Sequence, residues 1–189
     1  MKDKSIILAS QSPRRKELLA KENIKFTVVS MDIEEIMDES LPLPERLEQL
    51  AKNKALAVFK QYPEHVIIGA DTIVCLRDTI LQKPKDKEDA YHMLSLLSGN
   101  THTVYTAVAI LYDDEEVLFC ESTKVNFKTI DKQELEEYLL TDEWCDKAGG
   151  YAIQGISGKF VESITGDMNT VIGFPVEKVI SVLKEHDII

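Results

Sequence analysis

The chain has 189 residues, of which 44% are hydrophobic and 29% charged, and its formal net charge is −11. This length predicts one domain over residues 1–189, or two lobes that share a core, with enough apolar residues to build a hydrophobic interior. The acidic balance argues against a nucleic-acid binder or a protein that binds anionic membranes, because both need an extended basic surface. A small anionic ligand is compatible with this composition, provided that positive groups are concentrated locally.

The three cysteines, Cys75, Cys120 and Cys145, are far apart and form no CxxC pair. This pattern favours neither a disulfide framework nor a zinc site, and it indicates a reducing compartment. No stretch approaches the roughly 18 apolar residues of a membrane span, and the first residues contain no long apolar segment typical of a secretion signal. The sequence therefore predicts a cytoplasmic protein with no membrane partner.

A strand followed by a helix is predicted near the start of the chain. The apolar residues 6–9 are typical of a short buried strand, and Ser12 followed by a proline is typical of a helix N-terminus. Arg14 and Arg15 stand in the first turn, where free backbone N–H groups already favour negative charge. These features predict an anion-binding site. The alternative is that Glu17 and other carboxylates offset two solvated arginines.

A lysine lies within an apolar helical stripe. A strand is predicted over residues 26–30 and a helix from Pro44, whose apolar face consists of Leu47, Leu50, Ala51, Ala55 and Val58. Lys54 lies in the middle of that stripe. A lysine there either extends its ammonium to solvent or pairs with an anion, because an unpaired buried ammonium is unfavourable.

Asp71 interrupts the most strand-like segment of the chain, residues 66–75, which is apolar enough to be buried on both faces. A carboxylate in such a strand is destabilising unless it is paired, hydrogen-bonded or bound to a metal. Two structural explanations are a bulge at Gly69 that turns Asp71 to solvent and a structural hydrogen bond. A functional carboxylate is favoured, because metal or general-base chemistry accounts for its position.

Helices and strands continue through the second half of the chain. Lys83 precedes Pro84, which favours an extended backbone at the lysine, although an ordinary surface lysine is the simpler explanation. The patterns predict helices at 86–97, 131–140 and 175–184, hairpin strands at 102–112 and 117–128, and a last strand at 160–165. The histidines lack ligand spacing, so no metal or catalytic role is predicted for them.

Glycines are concentrated in residues 146–158 (DKAGGYAIQGISG), which predicts a loop that approaches a ligand closely. This segment is not a P-loop, since Gly158 and Lys159 are followed by Phe160, and it contains no G-x-G-x-x-G motif. Trp144, just before the segment, is expected to cover the edge of the core.

These elements predict an α/β fold with an elongated mixed sheet flanked by helices. Five polar residues deviate from local preferences, namely Arg14, Arg15, Lys54, Asp71 and Lys83. Four cations with one carboxylate suit a polyphosphate and a divalent cation. The cationic groups neutralise phosphate oxygens, while the carboxylate binds metal or activates water.

Four motifs in this order resemble the Maf family of nucleoside triphosphate pyrophosphatases: ASQSPRRKELL at 9–19, GADTIV at 69–74, Lys83 with Pro84, and DKAGGYAIQG at 146–155. The resemblance spans nearly the whole chain and implies an inosine triphosphate pyrophosphatase-like fold with a cleft between two lobes. It also implies a homodimer that hydrolyses a nucleoside triphosphate to the monophosphate and pyrophosphate, with Mg²⁺, Mn²⁺ or Co²⁺ as cofactor.

The resemblance implies roles for individual residues. The family's catalytic and substrate-binding positions are matched by Asp71, Lys54, Lys83, Glu35, Ser10 and Arg15. Asp71 matches the proton acceptor, and Ser10 and Arg15 match substrate-binding positions. Asp71 and Glu35 are the implied metal ligands. The implied reaction is attack of water on the α-phosphorus, with Asp71 as general base or as ligand of the metal that activates the water.

Arg14, Thr72 and Gln154 match positions that mark the dTTP/UTP pyrophosphatase subgroup, as opposed to the 7-methyl-GTP subgroup. This match implies pyrimidine triphosphates, modified ones included, as substrates and a house-cleaning role in nucleotide metabolism. The family resemblance also implies a link to septum formation and the arrest of cell division. Gly150 and Met168 depart from the family pattern, which usually has Ala at the first position and often an aromatic residue at the second.

Two other functions are consistent with parts of the sequence. A non-catalytic nucleotide-binding regulator of septum formation would share every binding residue, although the intact Asp71 and Lys83 favour an enzyme. A protein-binding scaffold would use the acidic segment 32–39 as its contact. It would leave Asp71 and the glycine-rich segment unexplained.

Overall fold

A computed structural model describes residues 4–189 of the chain. Its strands are β1 Ile6–Leu8, β2 Phe26–Val28, β3 Val66–Leu76, β4 Thr79–Leu81, β5 Thr101–Tyr112, β6 Glu115–Phe127 and β7 Val161–Thr165. Its α-helices are α1 Pro13–Lys21, α2 Leu43–Phe59, α3 Lys87–Leu97, α4 Lys132–Tyr138, α5 Met168–Ile172 and α6 Val176–Glu185. A short 3-10 helix, Ala148–Gly150, lies in the glycine-rich segment, and a second, Ile156–Phe160, begins in that segment and ends two residues after it. None of the helices in residues 4–189 combines the length and apolar character needed to cross a bilayer.

The described strands form a seven-stranded mixed sheet in the order β2-β1-β3-β5-β6-β7, with β4 paired to β3. β1 runs parallel to β2 and β3, as expected for strands connected through helices, whereas β3–β4 and β6–β7 are antiparallel. β5 and β6 are neighbours joined by a two-residue turn, which forms the predicted hairpin. The predicted α/β class with a mixed sheet and flanking helices is confirmed.

Residues 4–189 divide into two compact units. The first, unit 1, contains the described residues up to Asp71 together with Thr106–Glu121 and Gly173–Ile189. The second, unit 2, contains Thr72–Tyr105 and Ser122–Ile172. Strands β3, β5 and β6 each contribute residues to both units. The single domain expected over residues 1–189 stays a prediction.

In unit 1, α2 packs closely on β3 at Gly69. A Cβ at this position would lie 2.5 Å from the Ala51 carbonyl oxygen and 2.9 Å from the Ala55 Cβ, so the close approach requires glycine. The predicted apolar stripe of α2 is confirmed, since its five apolar residues are fully buried. This packing holds Lys54, which belongs to the same stripe, at the surface of β3.

The core of unit 2 is a cluster of buried side chains from α3, α4 and the strands of this unit. Phe127 makes edge-to-face contacts with His102 and Tyr151 within it. Trp144 packs against the cluster and is partly buried, which confirms the prediction that it covers the edge of the core. Because Tyr151, which is 6% exposed, packs against Phe127, it attaches the glycine-rich segment to this core.

Several local details differ from the sequence-based expectations. Neither β4 nor α5 is among the predicted elements, because three and five residues are too few for a period to be visible. β2 ends two residues earlier than predicted. On α6, Val176, Val179, Val182 and Leu183 are buried, whereas Ile180 is only half-buried. Ser12 occupies the N-cap position of α1, but within residues 4–189 its side chain makes no capping hydrogen bond.

Candidate active site

Lys54 joins two carboxylates in unit 1. Its ammonium donates a hydrogen bond to Asp71 Oδ1 on β3 and lies 2.7 Å from Glu35 Oε1. The Lys54 and Asp71 side chains are 18% and 12% exposed, whereas that of Glu35 is 56% exposed. Lys54 is therefore paired rather than extended to solvent. The buried Asp71 is paired with it, and a solvent-facing bulge does not explain this carboxylate.

The Ser10 hydroxyl organises the turn between β1 and α1. Ser10 is buried, and its Oγ accepts hydrogen bonds from the Ser12 backbone N–H at 3.2 Å and from Arg15 Nη1 at 3.3 Å. Ser10, and not the Ser12 side chain, thus satisfies a backbone donor where α1 begins. Because the N-terminal turn of a helix carries a positive partial charge, this arrangement suits an anion.

Arg15 connects α1 to two other segments of unit 1. Its Nε donates a hydrogen bond to the Gly173 carbonyl oxygen at 2.8 Å, and its Nη1 donates to the Ala70 carbonyl oxygen at 2.8 Å. Together with the bond to Ser10, at least three of its five N–H groups are engaged by the protein. The guanidinium is consequently held in one orientation, next to the strand residue that precedes Asp71.

The two arginines concentrate positive charge at the start of α1. Burial lowers the pKa of Arg14, and its Nε is buried without a hydrogen-bond partner among the described residues. Burial also lowers the pKa of Arg15, while the charge of Asp71 raises it, that of Arg14 lowers it further and that of Glu35 raises it. A buried N–H without a partner is unfavourable. A bound anion or carbonyl group would satisfy Arg14.

Lys83 lies in unit 2 beside the glycine-rich segment. It is exposed and follows β4, and the residue before it, Gln82, accepts a hydrogen bond from the Gly149 N–H at 3.1 Å. The carbonyl oxygen of Gly150 accepts a hydrogen bond from the Tyr138 hydroxyl at 2.9 Å. A tyrosine hydroxyl is a donor at neutral pH even at its ordinary pKa of about 10, and burial raises the pKa of Tyr138 further, to about 12. The segment that carries Lys83 is thereby fixed to a well-anchored turn.

The three predicted specificity residues are divided between the two units. Thr72 is half-buried on β3, directly after Asp71, and Gln154 is exposed between the two 3-10 helices of unit 2. Arg14 belongs to unit 1. Their roles in base selection stay predictions.

Glu35 and Asp71 have the chemistry of ligands for a hard divalent cation. Both contact the ammonium of Lys54, so they lie next to each other, and carboxylate oxygens are preferred by Mg²⁺ and Mn²⁺. Within residues 4–189, no group of three or more His, Cys, Asp or Glu side chains is arranged to hold a metal ion. Mg²⁺ at nucleotide sites uses one or two carboxylates and takes its other ligands from phosphate and water. The pair fits an ion of this kind.

Most of the predicted site residues come together in unit 1: Ser10, Arg14, Arg15, Glu35, Lys54 and Asp71. Those in unit 2 are Thr72, Lys83 and Gln154. Sequence patterns do not identify Glu143 and Ser157, which bind the turn that carries Gln154. An acidic residue in a polar stretch and a serine between glycines carry no signal of such a contact.

Solved structures share this fold. The Ham1 protein of Staphylococcus aureus aligns with a TM-score of 0.53 and 13% identity, over 97% of this chain and 100% of that chain. A Ham1 protein from Coxiella burnetii aligns with a TM-score of 0.51 and 12% identity, over 96% of this chain and 99% of that chain. At this identity the likeness concerns the fold alone. It defines an α/β protein with a Ham1-like, inosine triphosphate pyrophosphatase-like fold, as the sequence resemblance implied.

Similarity in sequence is much more specific. Residues 5–186 match the family described as Maf-like protein, and the chain belongs to this family. A protein of Bacillus velezensis named dTTP/UTP pyrophosphatase is 44% identical over 98% of both chains. Proteins with the same name from Bacillus cereus strain G9842 and Geobacillus sp. strain WCH70 are 43% and 44% identical, over 98% and 96% of this chain and 97% of each relative.

Proposed function

We propose that this protein hydrolyses dTTP and UTP to the nucleoside monophosphate and pyrophosphate. The observation that carries the proposal is the buried Asp71 carboxylate, held by Lys54 beside Glu35. Such a carboxylate suits a base or a metal ligand in phosphate chemistry. The names of the relatives, which are similar over nearly the whole chain, support the same activity and the same substrates.

In the proposed reaction, the oxygen of a water molecule attacks the α-phosphorus. The bond between this phosphorus and the α–β bridging oxygen breaks, and pyrophosphate leaves with the bridging oxygen. An Asp71 carboxylate oxygen accepts the proton of the attacking water. Because Lys54 holds the carboxylate in one orientation, the acceptor is positioned before the substrate binds.

Cationic side chains are proposed to stabilise the charge that moves onto the pyrophosphate. Lys54 and Arg15 lie around Asp71 in unit 1, where Arg15 is fixed by carbonyl oxygens on two segments. Lys83 is exposed in unit 2 and is assigned the same task from its match to the family motif. Groups that are already oriented toward developing charge stabilise a transition state more than mobile ones do.

A divalent cation, Mg²⁺, Mn²⁺ or Co²⁺, is part of the proposal. Glu35 and Asp71 would hold it, and the bound cation would neutralise phosphate charge and lower the pKa of a bound water. Binding of Mn²⁺ with a non-hydrolysable UTP analogue, followed by electron paramagnetic resonance, tests this assignment without a turnover assay. Glu35→Gln should weaken Mn²⁺ binding, whereas unchanged binding would remove Glu35 from the metal site.

Arg14, Thr72 and Gln154 are proposed to select the pyrimidine base. Their match to the dTTP/UTP subgroup supports this assignment, and so does the buried Arg14 Nε, which has no partner among the described residues. A carbonyl oxygen of a pyrimidine or an oxygen of the substrate's phosphates would accept a hydrogen bond from it.

A homodimer is a further proposal that follows from the family resemblance, and a cytoplasmic location is one that follows from the cysteine pattern and the lack of a long apolar segment. Sedimentation velocity of the full chain tests the first, because a monomer and a dimer of a 21.4 kDa chain separate clearly. A single monomeric species at micromolar concentration would overturn it.

The experiment that tests the function is a panel of canonical and modified triphosphates with Mg²⁺, Mn²⁺ or Co²⁺, scored for pyrophosphate release. The proposal expects release from dTTP and UTP, with the monophosphate as the other product. Tight UTP binding without pyrophosphate release would instead indicate a non-catalytic nucleotide-binding regulator. Release of inorganic phosphate alone would contradict attack at the α-phosphorus.

A further inference from the structure

The turn that carries Gln154 is closed by a hydrogen-bond network within unit 2. Ser157 is fully buried, and its hydroxyl accepts from the Ala152 N–H at 2.9 Å and lies 3.1 Å from the Ala152 carbonyl oxygen. The Glu143 carboxylate accepts from the Ile156 N–H at 2.7 Å, and its other oxygen lies 3.2 Å from the Ser157 hydroxyl. Residues two positions before and two positions after Gln154 are thus bound to one network.

We propose that Glu143 is a positioning residue for base selection, whose carboxylate holds the turn at 152–157 so that Gln154 presents its amide to the substrate base. This inference rests on the proposed function and extends it to a further residue. Glu143 would act through Gln154 and would not itself contact the substrate. An amide can both donate to and accept from a base edge. Such recognition is selective only if the amide is held in place.

Glu143 can reach the turn because residue 155 is glycine. A Cβ on Gly155 would lie 1.6 Å from Glu143 Oε1 and 2.4 Å from its Cδ. The φ of Gly155 is −110°, so the requirement is for space and not for an unusual backbone conformation. A side chain at 155 and the Glu143 carboxylate therefore exclude each other. This gives a second way to break the network without changing Glu143.

The segment that carries Glu143 is itself anchored. The Glu143 N–H donates to Thr141 Oγ1 at 3.3 Å, and the Thr141 hydroxyl donates to the Tyr138 carbonyl oxygen at 2.7 Å. The next residue, Trp144, packs against the core cluster of unit 2. Since hydrogen bonds to a charged acceptor are stronger than neutral ones, this carboxylate can hold an otherwise exposed turn in register with the core.

The test compares Glu143→Ala, Glu143→Gln and the control Glu136→Ala in the full chain. Glu136 is exposed on α4 and pairs only loosely with Lys132, at 3.7 Å. Glu143→Ala should raise KM for UTP and lower the ratio of kcat/KM for UTP to that for GTP by on the order of tenfold. Glu143→Gln should recover most of this ratio, because it keeps an oxygen acceptor for the turn. Glu136→Ala should leave the ratio unchanged.

The results of these assays distinguish a failure of the proposed role of Glu143 from a failure of the proposed function. A wild-type protein that releases no pyrophosphate from any triphosphate overturns the proposed function, and the inference with it. A selective wild type with an equally selective, folded Glu143→Ala variant overturns the inference alone, because a merely structural role lowers thermal stability without changing selectivity. If Glu143→Ala does not fold, Gly155→Ala is used in its place, because its Cβ would displace the Glu143 carboxylate from the turn. A reduced UTP to GTP ratio supports the proposal, and a wild-type ratio overturns it.

Discussion

Lys54 on α2 and Asp71 on β3 form an ion pair in which the two side chains are only 18% and 12% exposed. Water and salt screen such a pair much less than a surface pair. Removal of Lys54 leaves the buried Asp71 without the cation that donates a hydrogen bond to it, which is unfavourable because a carboxylate in a poorly hydrated place needs such a partner. The pair therefore links the stability of unit 1 to the chemistry proposed for it.

Lys54→Ala should destabilise the protein by about 3 kcal/mol, because it leaves the buried Asp71 without its cation. Lys52→Ala on the same helix is the matched control. Lys52 pairs with Glu116, whose side chain is 48% exposed, and loss of such a pair costs about 0.2–1 kcal/mol. Urea unfolding of both variants measures the difference. Equal losses would show that the Lys54 pair is energetically no different from a surface pair.

Gly69→Ala should destabilise the protein by about 1–3 kcal/mol through overpacking. The added Cβ would lie 2.5 Å from the backbone oxygen of Ala51, which cannot move without shifting α2. Because α2 carries Lys54, hydrolysis should fall together with stability. A variant with unchanged unfolding free energy would contradict the close packing of α2 on β3.

Replacing Gly149 or Gly150, the first two glycines of the glycine-rich segment, by alanine should destabilise the protein to different extents. At Gly150 (φ +74°) an added Cβ has 3.8 Å to its nearest neighbours, so Gly150→Ala should cost only the left-handed backbone strain of about 1–2 kcal/mol. Gly149 has φ +70°, and its Cβ would approach the Val74 side chain at 3.2 Å. Gly149→Ala should therefore be the more destabilising variant in thermal unfolding. The opposite order would contradict this packing.

Stability should depend on pH through His102, which is 1% exposed. Burial lowers the pKa of His102 from 6.5 to about 4, so the unfolded chain binds a proton at a higher pH than the folded protein does. The free energy of unfolding therefore falls as the pH decreases through this range, by about 2 kcal/mol between pH 8 and pH 5 from this group.

Urea unfolding of His102→Gln at both pH values measures this contribution. The variant should lose about 2 kcal/mol less than the wild type on acidification, whereas replacement of the exposed His92 by Gln should leave the loss unchanged. An equal loss in wild type and His102→Gln would show that His102 is not the responsible group.

The sequence predicts those elements in which apolar residues form a regular pattern, and it reveals the charged residues that interrupt such a pattern. Helix α2 has an apolar face, and strand β3 is apolar along most of its length. Lys54 and Asp71 stand out because each is a charged residue within one of these apolar patterns. Their pairing explains both deviations at once. Short elements such as β4 carry too few residues to show a period, and they form because neighbouring strands supply hydrogen bonds.

Contacts made by backbone atoms or by isolated polar residues are invisible in the sequence. Arg15 is fixed by the carbonyl oxygens of Ala70 and Gly173, which any residue type would supply. Glu143 contacts the turn because Trp144, the next residue, packs against the core of unit 2 and because residue 155 has no side chain. The residues next to Glu143 in the sequence do not indicate that contact. At the start of α1 the sequence pattern predicts the wrong side chain. It favours Ser12 as the capping residue, whereas the Ser10 hydroxyl accepts the hydrogen bond from the Ser12 N–H.

The most direct test of the account is the rate of pyrophosphate release from dTTP by Asp71→Asn. The substitution keeps the size of the side chain and removes its charge, so loss of a general base should reduce kcat by at least about 10²-fold. Asp78→Asn, at an exposed position in the turn after β3, is the control and should retain the parental rate. Circular dichroism and urea unfolding of both variants are the check that each is folded. A folded Asp71→Asn protein that hydrolyses dTTP at the parental rate would contradict the central claim.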